Sequence, residues 1–431
     1  MSFATPGKVA YLNARLLDPA SGLDVKGGLL TEGESIVAVG AAVSAPADAE
    51  IIDCGGACLA PGLVDMRVQL REPGEEHKET LASAGEAAVA GGVTSMVCLP
   101  NTEPVIDDIA AVEFVARIAR KNGLAKVYPY AAATKGLEGK ELAEIGMLAE
   151  AGALGFTDGT KAIANALMMR RALSYAATFG LLIVQHPEEP TLAGGVMNEG
   201  ELSTRLGLSG ISNVAEAVML ERDIRLVAAT GGRYHAAHIS TAEAVDLIRQ
   251  AKKRGLKITC DTAPPYFALN ELAVGDYRTF SKLSPPLRSE DDRLAIVEGL
   301  KDGTIDAIAS DHAPQDQDSK RLPFAQAEFG GVGLETLLQI SLELFHNEQL
   351  TLLEVMDRLS YGPARLLGLP AGTLAPGSAA DLVIFNPDRA GKVNPAKFRS
   401  KSKNTPFDGR PVQGKILRTV VDGRSVFIAN D

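Results

Sequence analysis

The chain has 431 residues, 46% of them hydrophobic, and a formal net charge of −11. That length carries one barrel-sized domain plus a smaller one, and the apolar fraction fills a sizeable core. The acidic balance argues against nucleic acid and anionic membrane surfaces as partners, while leaving room for a local basic pocket that takes a small carboxylate. The four cysteines, Cys54, Cys58, Cys98 and Cys260, include no Cys-x-x-Cys pair, so free thiols in a reducing cytoplasm are expected. Met1 to Leu17 shows no basic region followed by an apolar core, and no apolar run reaches bilayer length, so neither a signal peptide nor a membrane span is expected.

In chain order, residues 1–55 alternate short apolar runs with Gly, Asp and Pro turns, and Val9–Leu12, Gly28–Leu30 and Ser35–Val39 read as strands. The middle, 56–365, repeats a strand and then a helix. Its strand candidates are 63–70, 94–100, 125–132, 154–158, 181–186, 234–240, 257–263 and 306–314. Eight strands alternating with amphipathic helices predict a (β/α)8 barrel. Ser240-Thr241-Ala242-Glu243 has the spacing of a capping box before an apolar helix face. Pro187 to Gly210, with five glycines, is the longest connection and is expected to shape the barrel mouth. Residues 366–431 return to strand-like runs at Asp381–Phe385 and Lys415–Val421. Two β-rich ends around one barrel predict a composite β-sandwich domain built from 1–55 and 366–431.

The polar residues that stand out fall at strand ends. Arg71 follows the first strand and Asn101 the second; Asp158 ends the fourth and His186 the fifth; His238 lies near the end of the sixth, and Asp311 near the end of the eighth. In a (β/α)8 barrel these ends meet on one face, where sites are built. One carboxylate and two imidazoles, Asp158, His186 and His238, suit a divalent metal such as zinc; the alternative is a hydrogen-bonded polar plug.

Longer stretches carry a family resemblance. Asp65-Met66-Arg67-Val68-Gln69-Leu70-Arg71-Glu72-Pro73-Gly74 resembles the first-strand signature of dihydroorotases, in the amidohydrolase superfamily, where the pattern is Asp-x-His-x-His-Leu-Arg-x-Pro-Gly. Pro100–Pro104, His238–Thr241, Ala309–Gln315, Phe329–Glu335 and Asn404–Gly409 resemble further elements of that family, so the likeness runs over nearly the whole chain. Hydantoinases and allantoinases fit less well: they use a modified lysine as bridging ligand, where this chain has Asp158. The resemblance implies a barrel that normally holds two metals and opens or closes a cyclic amide. Asp311 matches the aspartate that moves the proton. Asp158, His186 and His238 match the bridging carboxylate and the inner metal ligands, and Arg71 and Asn101 match substrate-carboxylate contacts.

This sequence departs from the pattern at five positions, one of them Pro265, which stands in place of a further histidine. Arg67 and Gln69 stand in place of the His-x-His pair, Ser284 in place of a substrate-binding asparagine, and Gln315 in place of a histidine. Glutamine is a poor metal ligand, and a guanidinium is always charged and only donates. Arg67 is therefore expected either to pair with Asp311 or Asp158 as a fixed cation in the metal's place, or to turn away. The expectation is no two-metal centre, with zinc confined to the inner site if present at all. Two functions follow from the resemblance: a non-catalytic dihydroorotase homologue acting as structural partner of aspartate transcarbamoylase, or an active cyclic amidohydrolase running on one metal. A homo-oligomer is expected in either case.

Overall fold

The computed structural model describes residues 7–430. Both ends of the chain enter one sheet, in the order Arg424–Ile428, Pro411–Val421, Leu382–Lys392, Cys58–Pro61, Lys8–Asp18, Leu23–Glu32 and Ser35–Gly40, with Glu50–Asp53 also paired to Lys8–Asp18. The two termini are joined at Cys58–Pro61. It runs antiparallel to Leu382–Lys392, with Leu382 opposite Pro61, and parallel to Lys8–Asp18, with Arg15 opposite Cys58. The sheet therefore reaches past residue 55, where the sequence suggested its edge. Leu16, Leu29, Ile36, Leu59 and Leu382 form its own buried cluster. From Pro61 the chain passes directly into the barrel through Gly62, where a Cβ would lie 2.1 Å from Thr94 Oγ1. Only glycine fits that crossing.

The barrel strands, first to eighth, are Leu63–Val68, Val93–Cys98, Lys126–Pro129 continued by Ala131–Ala132, Phe156–Thr157, Leu182–Gln185, Arg233–Ala236, Ile258–Thr262 and Ala307–Ile308. Neighbours pair in parallel. Tyr130 N donates to Cys98 O in the third strand, where pairing passes from one neighbour to the next. The ring closes through a parallel bridge between Val68 and His312, with Gln69 N donating to His312 O at 2.9 Å. Every residue of the first two strands is buried, as expected of parallel strands covered on both faces.

Two local expectations change. The helix Ala242–Lys253 is capped by Thr241, whose hydroxyl accepts from Ala244 N, so Ser240 and Glu243 form no capping box. Ser240 is engaged elsewhere: buried Glu216 accepts from the backbone N–H and the hydroxyl of both Ser240 and Thr241. The connection from Pro187 to Gly210 is not plain loop; it contains a short strand, Met197–Asn198, and a helix, Glu201–Leu206. Among the described residues, no helix is long and apolar enough to cross a membrane.

Candidate functional site

At the strand ends lies a cavity of about 460 Å³. Arg67, Gln69, Arg71, Asn101, His186, Ser284, Asp311 and Gln315 line it, so the structure brings these sequence candidates together. His238 sits behind His186 and Asp311, and Asp158 is turned to a neighbouring loop.

Three site residues have a backbone in the left-handed region: Arg71 (φ 61), His238 (φ 42) and Asp311 (φ 50). Non-glycine residues avoid that region, at a cost of order 1–3 kcal/mol each, and it concentrates at functional sites. The strain is held by the surrounding bonds. His238 N donates to Asp261 Oδ1, whose second oxygen meets His235 Nε2 at 3.0 Å. Asp65 Oδ1 accepts from both Arg67 N and Ser310 N at 3.1 Å, tying the first strand to the eighth. Burial pushes the Asp65 carboxyl up to about 6.

Arg67 takes the first of the two outcomes expected for it. Its Nε donates to Asp311 Oδ1 at 2.9 Å, with side-chain exposures of 3% and 15%. Burial pushes the Asp311 carboxyl up, but the neighbouring His238 and the charge and hydrogen bond of Arg67 outweigh it and leave it below the ordinary carboxylate range. Burial, and after it the charge of Arg67, hold the His238 imidazole down at about 4. His238 is then uncharged at neutral pH, and Arg67 is the cation that serves Asp311 there.

From Asp311 a chain of polar groups runs inward. His238 Nδ1 is 3.3 Å from Asp311 Oδ1, His238 Nε2 is 2.7 Å from His186 Nδ1, and His186 Nε2 is 3.4 Å from Glu188 Oε2. Three such contacts need three N–H protons, and two neutral rings carry two. His238 Nδ1 is the nitrogen left without a hydrogen-bond partner. Burial raises the Glu188 carboxyl, but His186 and Arg288 outweigh it and leave it lowered.

Asp158 is satisfied apart from this chain. Its two oxygens accept from Thr134 N at 2.9 Å and Thr134 Oγ1 at 2.5 Å. Burial raises its carboxyl above the usual value despite these bonds. At the cavity rim, Arg71 Nη1 and Lys78 Nζ share Glu75, at 2.8 and 2.5 Å. Asn101 Nδ2 donates to Gln69 Oε1 at 3.1 Å, and Gln315 Nε2 donates to Phe329 O at 2.8 Å.

These residues do not fit a metal as arranged. Two nitrogens sharing one tetrahedral zinc stand roughly 3.3 Å apart, from Zn–N bonds of ~2.0–2.1 Å, whereas the two imidazoles here approach to 2.7 Å. The third expected ligand, Asp158, has both oxygens occupied by Thr134. Where a second metal would lie between the first strand and Asp311, a guanidinium stands instead. Among the described residues, no group of three His, Cys, Asp or Glu side chains is placed to hold a metal.

Sequence reasoning missed Glu75, Lys78, Thr134 and Glu188. Glu188 lies two residues past His186, in the stretch read as a mouth-shaping connection. Thr134 carries no signal in sequence, since a single threonine after a strand is commonplace.

Comparison with known proteins places the chain among close relatives. A family model described as Dihydro-orotase-like matches residues 56–244. The chain is 47% identical to a dihydroorotase of Anaplasma phagocytophilum (strain HZ), over 98% of this chain and 95% of that one. It is also 47% identical to a dihydroorotase of Syntrophus aciditrophicus (strain SB), over 97% and 99%. Among solved structures, an L-hydantoinase (dihydropyrimidinase) from Arthrobacter aurescens superposes with a TM-score of 0.88 at 27% identity, covering 98% of this chain and 96% of that one.

Proposed function

The chain belongs to the dihydroorotase family, and from that premise we propose that it is a non-catalytic member whose role is structural, as a partner of aspartate transcarbamoylase. One observation carries the loss of catalysis: the buried ion pair between Arg67 Nε and Asp311 Oδ1 at 2.9 Å. By resemblance, Asp311 is the aspartate that moves a proton during ring opening. A general base must be free to take that proton at the reacting atom. Here the carboxylate is held by a permanent cation that never releases a proton. Ser284 and Gln315, in place of an asparagine and a histidine, remove two further contacts by which the family positions its substrate, and mispositioning alone forfeits orders of magnitude in rate. The partnership rests on the resemblance, and a homo-oligomer belongs to the same reading.

The test is direct. The purified full-length chain is assayed for zinc content, for dihydroorotate turnover in both directions with and without added zinc, and for co-sedimentation with the cognate transcarbamoylase. Little bound zinc, no turnover and co-sedimentation are expected. A second reading, hydrolysis on a single metal, draws on Asp158, His186 and His238, which by resemblance are the bridging carboxylate and the inner metal ligands. About one equivalent of tightly bound zinc together with turnover would establish that second reading. A stable monomer that ignores the transcarbamoylase would remove the structural role.

A further inference from the structure

We infer that residues 389–403 form a docking surface for an acidic segment of a partner protein. The inference is independent of what happens at the barrel mouth and stands whether or not the barrel turns over.

Composition singles the segment out. A chain of net charge −11 places six cations and no carboxylate in residues 389–403: Arg389, Lys392, Lys397, Arg399, Lys401 and Lys403. All six are exposed, and among the described residues none of them forms an ion pair. Lys401 Nζ and Lys403 Nζ donate only to main-chain carbonyls, of Glu76 and of Phe398 and Ser400. A run of like charges ordinarily repels itself into disorder. This one is pinned.

The pinning follows from an alternation. Arg399, Lys401 and Lys403 face solvent, while Ser400, Ser402 and Asn404 are buried. The Ser400 hydroxyl donates to Glu79 Oε2, the Ser402 hydroxyl to Lys78 O at 2.8 Å, and Asn404 Nδ2 to Gly330 O at 3.0 Å. Arg399 N and Ser400 N donate to Glu335 Oε1 at 2.7 and 3.1 Å, and Lys401 N to Glu79 Oε1 at 3.1 Å. The carboxylates beside the segment therefore hold its backbone and leave its ammonium and guanidinium groups unpaired. Glu76 Oε1 is turned to Gly74 N, and Asp408 is the only acid between Arg389 and Arg410. A backbone already fixed lowers the ordering cost of binding.

Charge complementarity selects the occupant. Carboxylates are what these groups lack, and the two arginines can take them bidentately. The reach of the patch is short, because fields fade over about 8 Å at physiological salt. A short acidic segment meets only the patch, whereas a long nucleic acid also meets the acidic remainder of the chain. Nor is an aromatic offered to bases: Phe398 packs against the core and Phe407 is buried. Lys401 and Ser402 touch the loop after the first barrel strand, so an occupant sits beside the rim that carries Glu75 and Lys78.

The experiment is fluorescence anisotropy on the full-length chain with labelled hexaglutamate as probe. Binding that weakens with added salt is expected. Lys392→Glu/Lys397→Glu/Arg399→Glu, three side chains that bond to nothing in the described protein, should weaken it at least ~10-fold. Circular dichroism checks the fold, and Arg399→Gln alone, a milder change, should still weaken binding by ~3-fold. Arg120→Glu/Lys121→Glu, on the exposed side of the helix Ile109–Asn122, alters net charge elsewhere and should leave affinity within ~2-fold of wild type. No binding, or equal loss in both multiple variants, overturns the inference. Tighter binding of a labelled hexauridylate overturns it in favour of nucleic acid.

Discussion

Removing Arg67 alone is the sharpest perturbation this barrel offers. Arg67→Met leaves Asp311, at 15% side-chain exposure, without its cation. Breaking a buried pair by removing one partner costs about 3–5 kcal/mol, whereas replacing both partners is close to neutral. For a chain of 431 residues, per-residue averages give an unfolding entropy of roughly 0.9 kcal/mol per kelvin, so the single variant should lower Tm by about 3–6 °C. Arg67→Met/Asp311→Asn should recover to within about 2 °C of wild type. The effect is pH-dependent, with a sign set by His238. Its folded pKa of about 4 lies below the ordinary ~6.5. Through that window the unfolded chain binds a proton the folded chain refuses, so wild-type stability falls as pH drops. Without Arg67 the repulsion on His238 disappears and the attraction of Asp311 remains, so the variant loses less. The gap between wild type and Arg67→Met should therefore narrow from about pH 7 toward about pH 4. Scanning calorimetry across that range measures it. A single variant as stable as wild type, or a gap that widens on acidification, would refute the assignment of Arg67 as the cation holding Asp311.

Arg67→His/Gln69→His should restore imidazoles beside Asp311 and raise bound zinc, measured by elemental analysis, while dihydroorotate turnover stays weak because Ser284 and Gln315 are unchanged; full activity would show that the pocket residues do not matter. Burial pushes the Glu335 carboxyl up to about 7, against hydrogen bonds from Ser400 N and Arg399 N. The folded state then holds the proton more tightly than the unfolded chain, so stability falls as pH rises from about 4.5 through about 7. Glu335→Gln should remove that slope and gain up to ~3 kcal/mol at neutral pH, read from thermal melts at several pH values. Glu216→Ala removes the acceptor for two N–H groups and two hydroxyls at the sixth-strand turn, and should destabilise the chain by at least ~3 kcal/mol in denaturant titration.

The barrel was readable because parallel strands covered on both faces must be apolar almost throughout. Leu63–Val68 shows the rule and its exception together: all six residues are buried, and Asp65 and Arg67 are the polar ones. Those two break the apolar pattern because each is spent on the eighth strand, Asp65 on Ser310 N and Arg67 on Asp311. The site candidates were readable from their positions at strand ends, which the fold gathers on one face. Their partners were not. Arg67 reaches Asp311 across 244 residues, and only ring closure between Val68 and His312 brings the two ends together. Thr134 answers Asp158 from the connection after the third strand. Ser240 was misread for a related reason. The local spacing with Glu243 is a real capping pattern, but the Ser240 hydroxyl donates to the buried carboxylate of Glu216, 24 residues away.

The chemistry of the mouth follows from where each charge is compensated. A dication is held when several carboxylates and imidazoles are left short of positive charge and converge on one point. In this chain each of those groups has found its own local answer. Asp311 has Arg67; Asp158 has two donors from Thr134; His186 lies between His238 and Glu188. A metal entering here would have to displace a guanidinium that cannot deprotonate and break the Thr134 bonds to Asp158 before gaining its ligands. The residues that resemble a metal site therefore work against one, and position 67 decides the matter. With a neutral imidazole there, Asp311 would lack its cation, and a dication would supply it. With a guanidinium, the demand is already met.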